Sequence, residues 1–210
     1  MPGTAALHDE VDANMESSRM SPDRVPHAQL LDRKAVALVV LDLQAKLVPA
    51  IFEPQRVIRN AQLLLRLAQV LEFPAVLTSH YPKGLGNIIP EITQFAPGSE
   101  PIEKTSFGCF GEPDFLRRLK QRAPQASSLL VAGIECHICV MQTVLGALEA
   151  GYLVHVAADA TSSRTQENWQ IGLTRMERAG AVISSTEMMV YELLAQSNTP
   201  EFKALLPFLK

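Results

Sequence analysis

Three side chains in this sequence could do chemistry together. Asp42, Lys104 and Cys139 lie far apart in the chain, yet each stands at the end of, or just after, a short run of β-forming residues. An acid, an amine and a thiol brought together at one edge of a sheet would make a candidate functional site, with the thiol as its candidate nucleophile. Cys139 sits in Gly133-Ile134-Glu135-Cys136-His137-Ile138-Cys139-Val140, a strand-to-helix turn that leaves it in the first turn of the following helix. Unpaired N–H groups and the positive end of the helix dipole there favour a thiolate. A small buried apolar residue is the other reading of this cysteine, and it is the one that fits Cys109 and Cys136.

Such a trio can meet only if strands run parallel and their carboxyl ends share one edge. From residue 34 onward, short apolar runs alternate with longer segments of helical period, as repeated βαβ units require. Strands are expected over 35–41, 75–79, 101–104, 128–134, 153–158 and 181–184. Helices are expected over 54–71, 112–122, 138–150, 166–179, 187–195 and 201–209, with a long Pro/Gly-rich connection after His80. In 54–71, Val57, Ala61, Leu64, Leu65 and Ala68 recur at three- and four-residue spacings on one face, and Pro74 follows as a stop. The pattern predicts an α/β protein. It should have a three-layer Rossmann-like fold with a six-stranded parallel sheet, order 3-2-1-4-5-6, and helices on both faces. Residues 1–33 mix small, polar and Pro residues without apolar period and read as a mobile N-terminal extension, leaving 34–210 as one domain.

Composition removes several classes of function. A net charge of -3 with no dense Lys/Arg run offers no surface for nucleic acid. No apolar run approaches the roughly 20 residues that cross a bilayer. The acidic start, with Asp9, Glu10, Asp12 and Glu16, has no apolar core of a signal peptide, so the cytoplasm is the expected location. Three cysteines, an odd number, fit reduced thiols rather than a disulfide framework. The first strand is followed by Asp42-Leu43-Gln44-Ala45, not by the Gly-x-Gly-x-x-Gly turn of a dinucleotide site.

Three segments together resemble the signature of the isochorismatase-like cysteine hydrolases: Leu41-Asp42-Leu43-Gln44, Glu103-Lys104-Thr105-Ser106-Phe107 and Gly133–Val140. The likeness runs from about residue 35 to the C-terminus. Thr78–Gly86 and Ala158–Arg164 resemble the isochorismatase domain-containing branch more than the nicotinamidases. The resemblance implies a catalytic triad in which Asp42 is the base, Lys104 holds the charges and Cys139 attacks. It also implies a cis peptide bond between Ile134 and Glu135, an oxyanion hole made by the Glu135 and Cys139 N–H groups, and a covalent thioester intermediate. Small amides, carbamoyl compounds or esters are the implied substrates, with Gln44, His80, Tyr81, Phe107 and Trp169 as candidate pocket wall or, alternatively, core.

Nicotinamidases bind a metal through Asp-x-His at the second strand. This chain has Thr78-Ser79-His80 there, so no metal and no cofactor are expected. Glu135 and His137 fit structural hydrogen bonding. Asp159 and Arg164 could pair with each other, face a neighbouring subunit or stay solvated. The family implies a homo-oligomer, a dimer or larger. A non-enzymatic assembly protein on the same scaffold remains a separate reading, since fold does not fix function, and a metal-dependent nicotinamidase is another.

Overall fold

The computed structural model describes residues 30–209. The extension expected over 1–33 therefore falls, as far as residue 29, outside the described residues. Its last part is anchored: Leu31 is buried, and its N–H donates to Glu192 Oε2 at 3.2 Å.

Six strands form the sheet: β1 Val36–Leu41, β2 Ala75–His80, β3 Ile102–Lys104, β4 Ser128–Ile134, β5 Leu153–Ser162 and β6 Val182–Ser184. All pairings are parallel and the order is β3-β2-β1-β4-β5-β6, the fold and order expected. The central strand shows why the residues are what they are. Val36, Leu38 and Val40 of β1 join one hydrophobic cluster, while Ala37, Val39 and Leu41 join the other. A strand buried on both faces needs an unbroken apolar run, since successive side chains alternate between faces.

Helices cover both faces. On the first lie α1 (Pro54–Leu71), α5 (Thr186–Leu194) and α6 (Pro200–Leu205); on the second lie α2 (Phe115–Arg122), α3 (Met141–Glu149) and α4 (Gln166–Arg178). In α1 the stripe from Val57 to Ala68 is buried, Pro54 occupies the first turn and Glu72 ends the helix in a left-handed conformation. Thr165 and Ser185 cap α4 and α5 through the Asn168 and Met188 N–H groups.

Two elements differ from expectation. The connection after β2 contains single helical turns at Pro82–Leu85 and Pro90–Thr93. More important, β5 runs four residues past Ala158, through Asp159-Ala160-Thr161-Ser162. Between the Val131↔Val156 and Gly133↔Thr161 pairs, β4 advances two residues and β5 five, so β5 bulges and then pairs again. The Arg56 guanidinium donates to Asp159 O at 2.6 Å and Thr161 O at 3.3 Å, satisfying backbone carbonyls in the bulged stretch. This extension carries the chain to the end of β4, where the candidate residues lie.

Gly133 lets β4 and β1 close together there. It has φ +115°, and a Cβ on it would sit 2.1 Å from Leu41 O and 2.5 Å from Leu41 N. Gly180 has a similar φ of +104° but open space around it. Gly133→Ala is thus expected to destabilise clearly more than Gly180→Ala, whose penalty is backbone strain alone at about 1–2 kcal/mol. Urea unfolding of both variants decides it, and equal losses would contradict the close approach.

Candidate active site

Asp42, Lys104 and Cys139 all lie at the carboxyl edge of the sheet. Asp42 follows β1 in a left-handed conformation (φ 53°), which Asp tolerates better than most residues. Its Oδ1 accepts from Thr78 Oγ1 at 2.7 Å and its Oδ2 lies 2.7 Å from Lys104 Nζ. The two charged side chains are 0 % and 1 % exposed. Lys104 Nζ donates to Phe107 O at 2.9 Å and Ser106 O at 3.3 Å. Burial works most strongly against the ammonium, yet Asp42 together with Cys139 and Cys109 outweighs it and holds Lys104 above its ordinary value. Losing one member of such a pair strands the other as a buried charge, worth about 3–5 kcal/mol.

Cys139 stands close enough to this pair for both members to act on its ionisation. Its surroundings correct one expectation. Burial pushes the thiol from 9.0 up to about 12, Asp42 adds to that, and Lys104 opposes it. Desolvation thus outweighs the helix mouth and the amine, and the resting group is a thiol rather than a thiolate. Cys139 keeps 6 % exposure where Cys109 and Cys136 have none. Cys136 Sγ bonds Trp169 O at 3.6 Å, and the Cys109 N–H donates to Thr143 Oγ1 at 3.0 Å.

The turn carrying Cys139 is also wider than the α-turn expected. Cys136–Val140 form a π-helical turn leading into α3. Glu135 O, which an α-turn would give to the Cys139 N–H, instead accepts from Ile138 N at 3.0 Å and Val140 N at 3.2 Å. The Ile134–Glu135 peptide bond is cis.

The remaining candidates divide. His80 lines up with Lys104 across β2 and β3, and its ring stacks on Phe107 with centroids 5.3 Å apart. Burial and then Lys104 lower its pKa from 6.5, so the ring is neutral at pH 7. Tyr81 and Phe107 are more than half exposed, and Tyr81 shares with Lys104, Thr105 and Glu112 the wall of a depression of about 320 Å³. Gln44 does not present its amide to a ligand. Its Nε2 donates to His80 O and Gly86 O, and its Oε1 accepts the His80 N–H, so it locks the loop after β2. Trp169 likewise spends its Nε1–H on Ala158 O and Thr161 Oγ1 beneath the Arg56 guanidinium. Asp159 and Arg164 are not partners: Asp159 Oδ1 accepts from Thr186 N and Oγ1, while Arg164 bonds Glu135.

Two contributors escaped the sequence reading. Thr78 supports Asp42, and its signal is a polar residue at an inward position of an apolar strand. Glu112 accepts the Thr105 and Ser106 N–H groups at 2.6 and 2.7 Å, fixing the loop that supplies acceptors to Lys104. Nothing in its spacing announces this. Among the described residues no group of three His, Cys, Asp or Glu gathers as a metal-binding cluster, and no helix is long and apolar enough to cross a membrane.

Sheet order, helices on both faces and a buried acid–amine pair at the strand ends define a Rossmann-like α/β protein with a candidate nucleophile beside the pair. The isochorismatase domain matches residues 36–188, and the chain belongs to the isochorismatase family. It is 37% identical over 173 residues to isochorismatase domain-containing protein 2B of Mus musculus, a match spanning 82% of this chain and 80% of that protein. Among solved structures it resembles the MAR1 ribonuclease of Caenorhabditis elegans (TM-score 0.80, 32% identity, 86% of this chain and 92% of that one). It equally resembles YcaC of Pseudomonas aeruginosa, solved with hexane-2,5-diol and covalent acrylamide (TM-score 0.80, 26% identity, the same coverage).

Three buried thiols with raised pKa values set an alkaline limit. Cys109, Cys136 and Cys139 move from 9.0 to about 12, so below pH 9 they are neutral in folded and unfolded chains alike and stability is complete. Between about pH 9 and 12 only the unfolded chain ionises, and stability falls. The thermal midpoint is expected to drop across that range and to drop less in Cys109→Ala and Cys136→Ala. A level midpoint, or variants as steep as wild type, would contradict it.

Proposed function

We propose that residues 34–210 form a hydrolase that cleaves small amides or carbamoyl compounds at C–N bonds other than peptide bonds, or small esters, with Cys139 as nucleophile. The observation that carries this reading is the buried Asp42–Lys104 pair at 2.7 Å, electrically coupled to Cys139. Because the resting sulfur is protonated, Asp42 takes the proton as the S–C bond forms. The carbonyl oxygen becomes an oxyanion, received by the N–H groups of Glu135 and Cys139, while Glu135 O takes its bonds from Ile138 and Val140 rather than from the Cys139 N–H. Collapse expels the leaving group, which takes the proton from Asp42 and leaves an acyl thioester. Water then attacks the thioester, gives a proton to Asp42, and the acid product departs as the proton returns to sulfur. Lys104 stays charged throughout and pairs with Asp42 whenever it is not carrying the proton.

Low exposure at Cys139 favours small substrates, with His80, Tyr81 and Phe107 as the pocket wall. The covalent acrylamide in the YcaC neighbour supports an electrophile-accepting site, since acrylamide reacts with thiols. Escherichia coli YcaC, at 25% identity, is described as an octameric hydrolase of unknown specificity, and exposed Ile171, Met188 and Tyr191 here support a homo-oligomer. Reduced thiols suit a cytoplasmic setting. RNA cleavage, the activity named for the C. elegans neighbour, finds no support in a net charge of -3.

Steady-state assays with p-nitrophenyl acetate and a panel of small amides and ureido compounds test the reading. Cys139→Ala is expected to lower kcat at least about 10³-fold and Asp42→Asn about 10²–10⁴-fold. Turnover that survives Cys139→Ala unchanged would overturn it.

A further inference from the structure

We propose that Arg164 is a positioning residue for the oxyanion turn: it grips the Glu135 side chain and cancels its charge. The role rests on the cysteine-hydrolase reading, in which the Glu135 N–H receives the oxyanion. Glu135 Oε2 accepts from Arg164 N at 3.0 Å and from Arg164 Nε at 3.1 Å. The neighbouring residue holds the same turn from the same side. Ser163 Oγ accepts the His137 N–H at 3.3 Å and lies 2.9 Å from His137 Nδ1. Ser163 is itself tied down, since its carbonyl accepts the Phe52 N–H at 2.8 Å. The residues that follow β5 therefore hold residues 135 and 137 on either side of Cys136.

Electrostatics makes Arg164 more than a clasp. Glu135 carries a carboxylate on the residue whose backbone must stabilise a developing negative charge, and its side chain is only 11 % exposed. Left unpaired in that poorly solvated place, the carboxylate would repel the oxyanion and raise the barrier. The Arg164 guanidinium removes that repulsion while fixing where the N–H points. Arg164 is 58 % exposed and touches none of the reacting atoms, so its effect passes through Glu135 alone.

Charge cancellation gives a signature that a purely structural clasp lacks: removing the carboxylate should repair what removing the arginine damages. With p-nitrophenyl acetate and the full chain, Arg164→Ala is expected to lower kcat about 10- to 100-fold with KM changed less than about twofold. Glu135→Gln/Arg164→Ala is expected to be clearly faster than Arg164→Ala. If Arg164→Ala does not fold, Arg164→Gln serves. A kcat for Arg164→Ala within about twofold of wild type, or a double variant no faster than the single, overturns the role. Wild-type protein without Cys139-dependent turnover instead defeats the hydrolase reading itself, and the role falls with it.

Discussion

The rest of the site depends on a carboxylate and an ammonium kept together away from water. Neither Asp42 nor Lys104 could be buried alone, because an unpaired charge at this depth would neutralise or pull the loop apart. Their union is enforced from several directions. Thr78 donates to one carboxylate oxygen, the Ser106 and Phe107 carbonyls accept from the ammonium, and Glu112 holds the loop from which those carbonyls come. What reads as an ion pair is thus a network across β1, β2 and β3, standing beside a thiol.

The thiol belongs to the other half of the sheet. β4 delivers the turn, the close packing of Gly133 on Leu41 sets how near that turn comes to Asp42, and the residues that follow β5 hold the turn in place. The site is therefore assembled across the middle of the sheet from two halves that meet at β1 and β4. Open parallel sheets put ligand sites at this position because strand order changes direction there.

Much of this was legible in the sequence, for definite reasons. Continuous apolar runs such as Val36–Leu41 are too short for helices of their own and rich in Val, which fits strands buried on both faces, and the stripe from Val57 to Ala68 has the spacing of a helix facing them, so six parallel strands were expected. Asp42, Lys104 and Cys139 stood out because each closes or follows such a run. What was hidden depends on contacts between distant segments. Asp159–Ser162 look like loop residues, yet register against β4 and the Arg56 guanidinium make them strand. Gln44 looks like a ligand-binding amide, but the backbone of His80 and Gly86 occupies it. The protonated state of Cys139 could not be read from a helix mouth alone, since it turns on how much desolvation outweighs Lys104.

In the proposed reaction Cys139 alone carries the acyl group during turnover. Mixing the protein with p-nitrophenyl acetate, quenching in acid within the first turnovers and mapping peptides by mass tests this directly. An acetyl group is expected on the Cys139 peptide that appears before steady state and disappears as ester is exhausted, with Cys109 and Cys136 unmodified. Turnover with no acyl group ever found on Cys139 would contradict it.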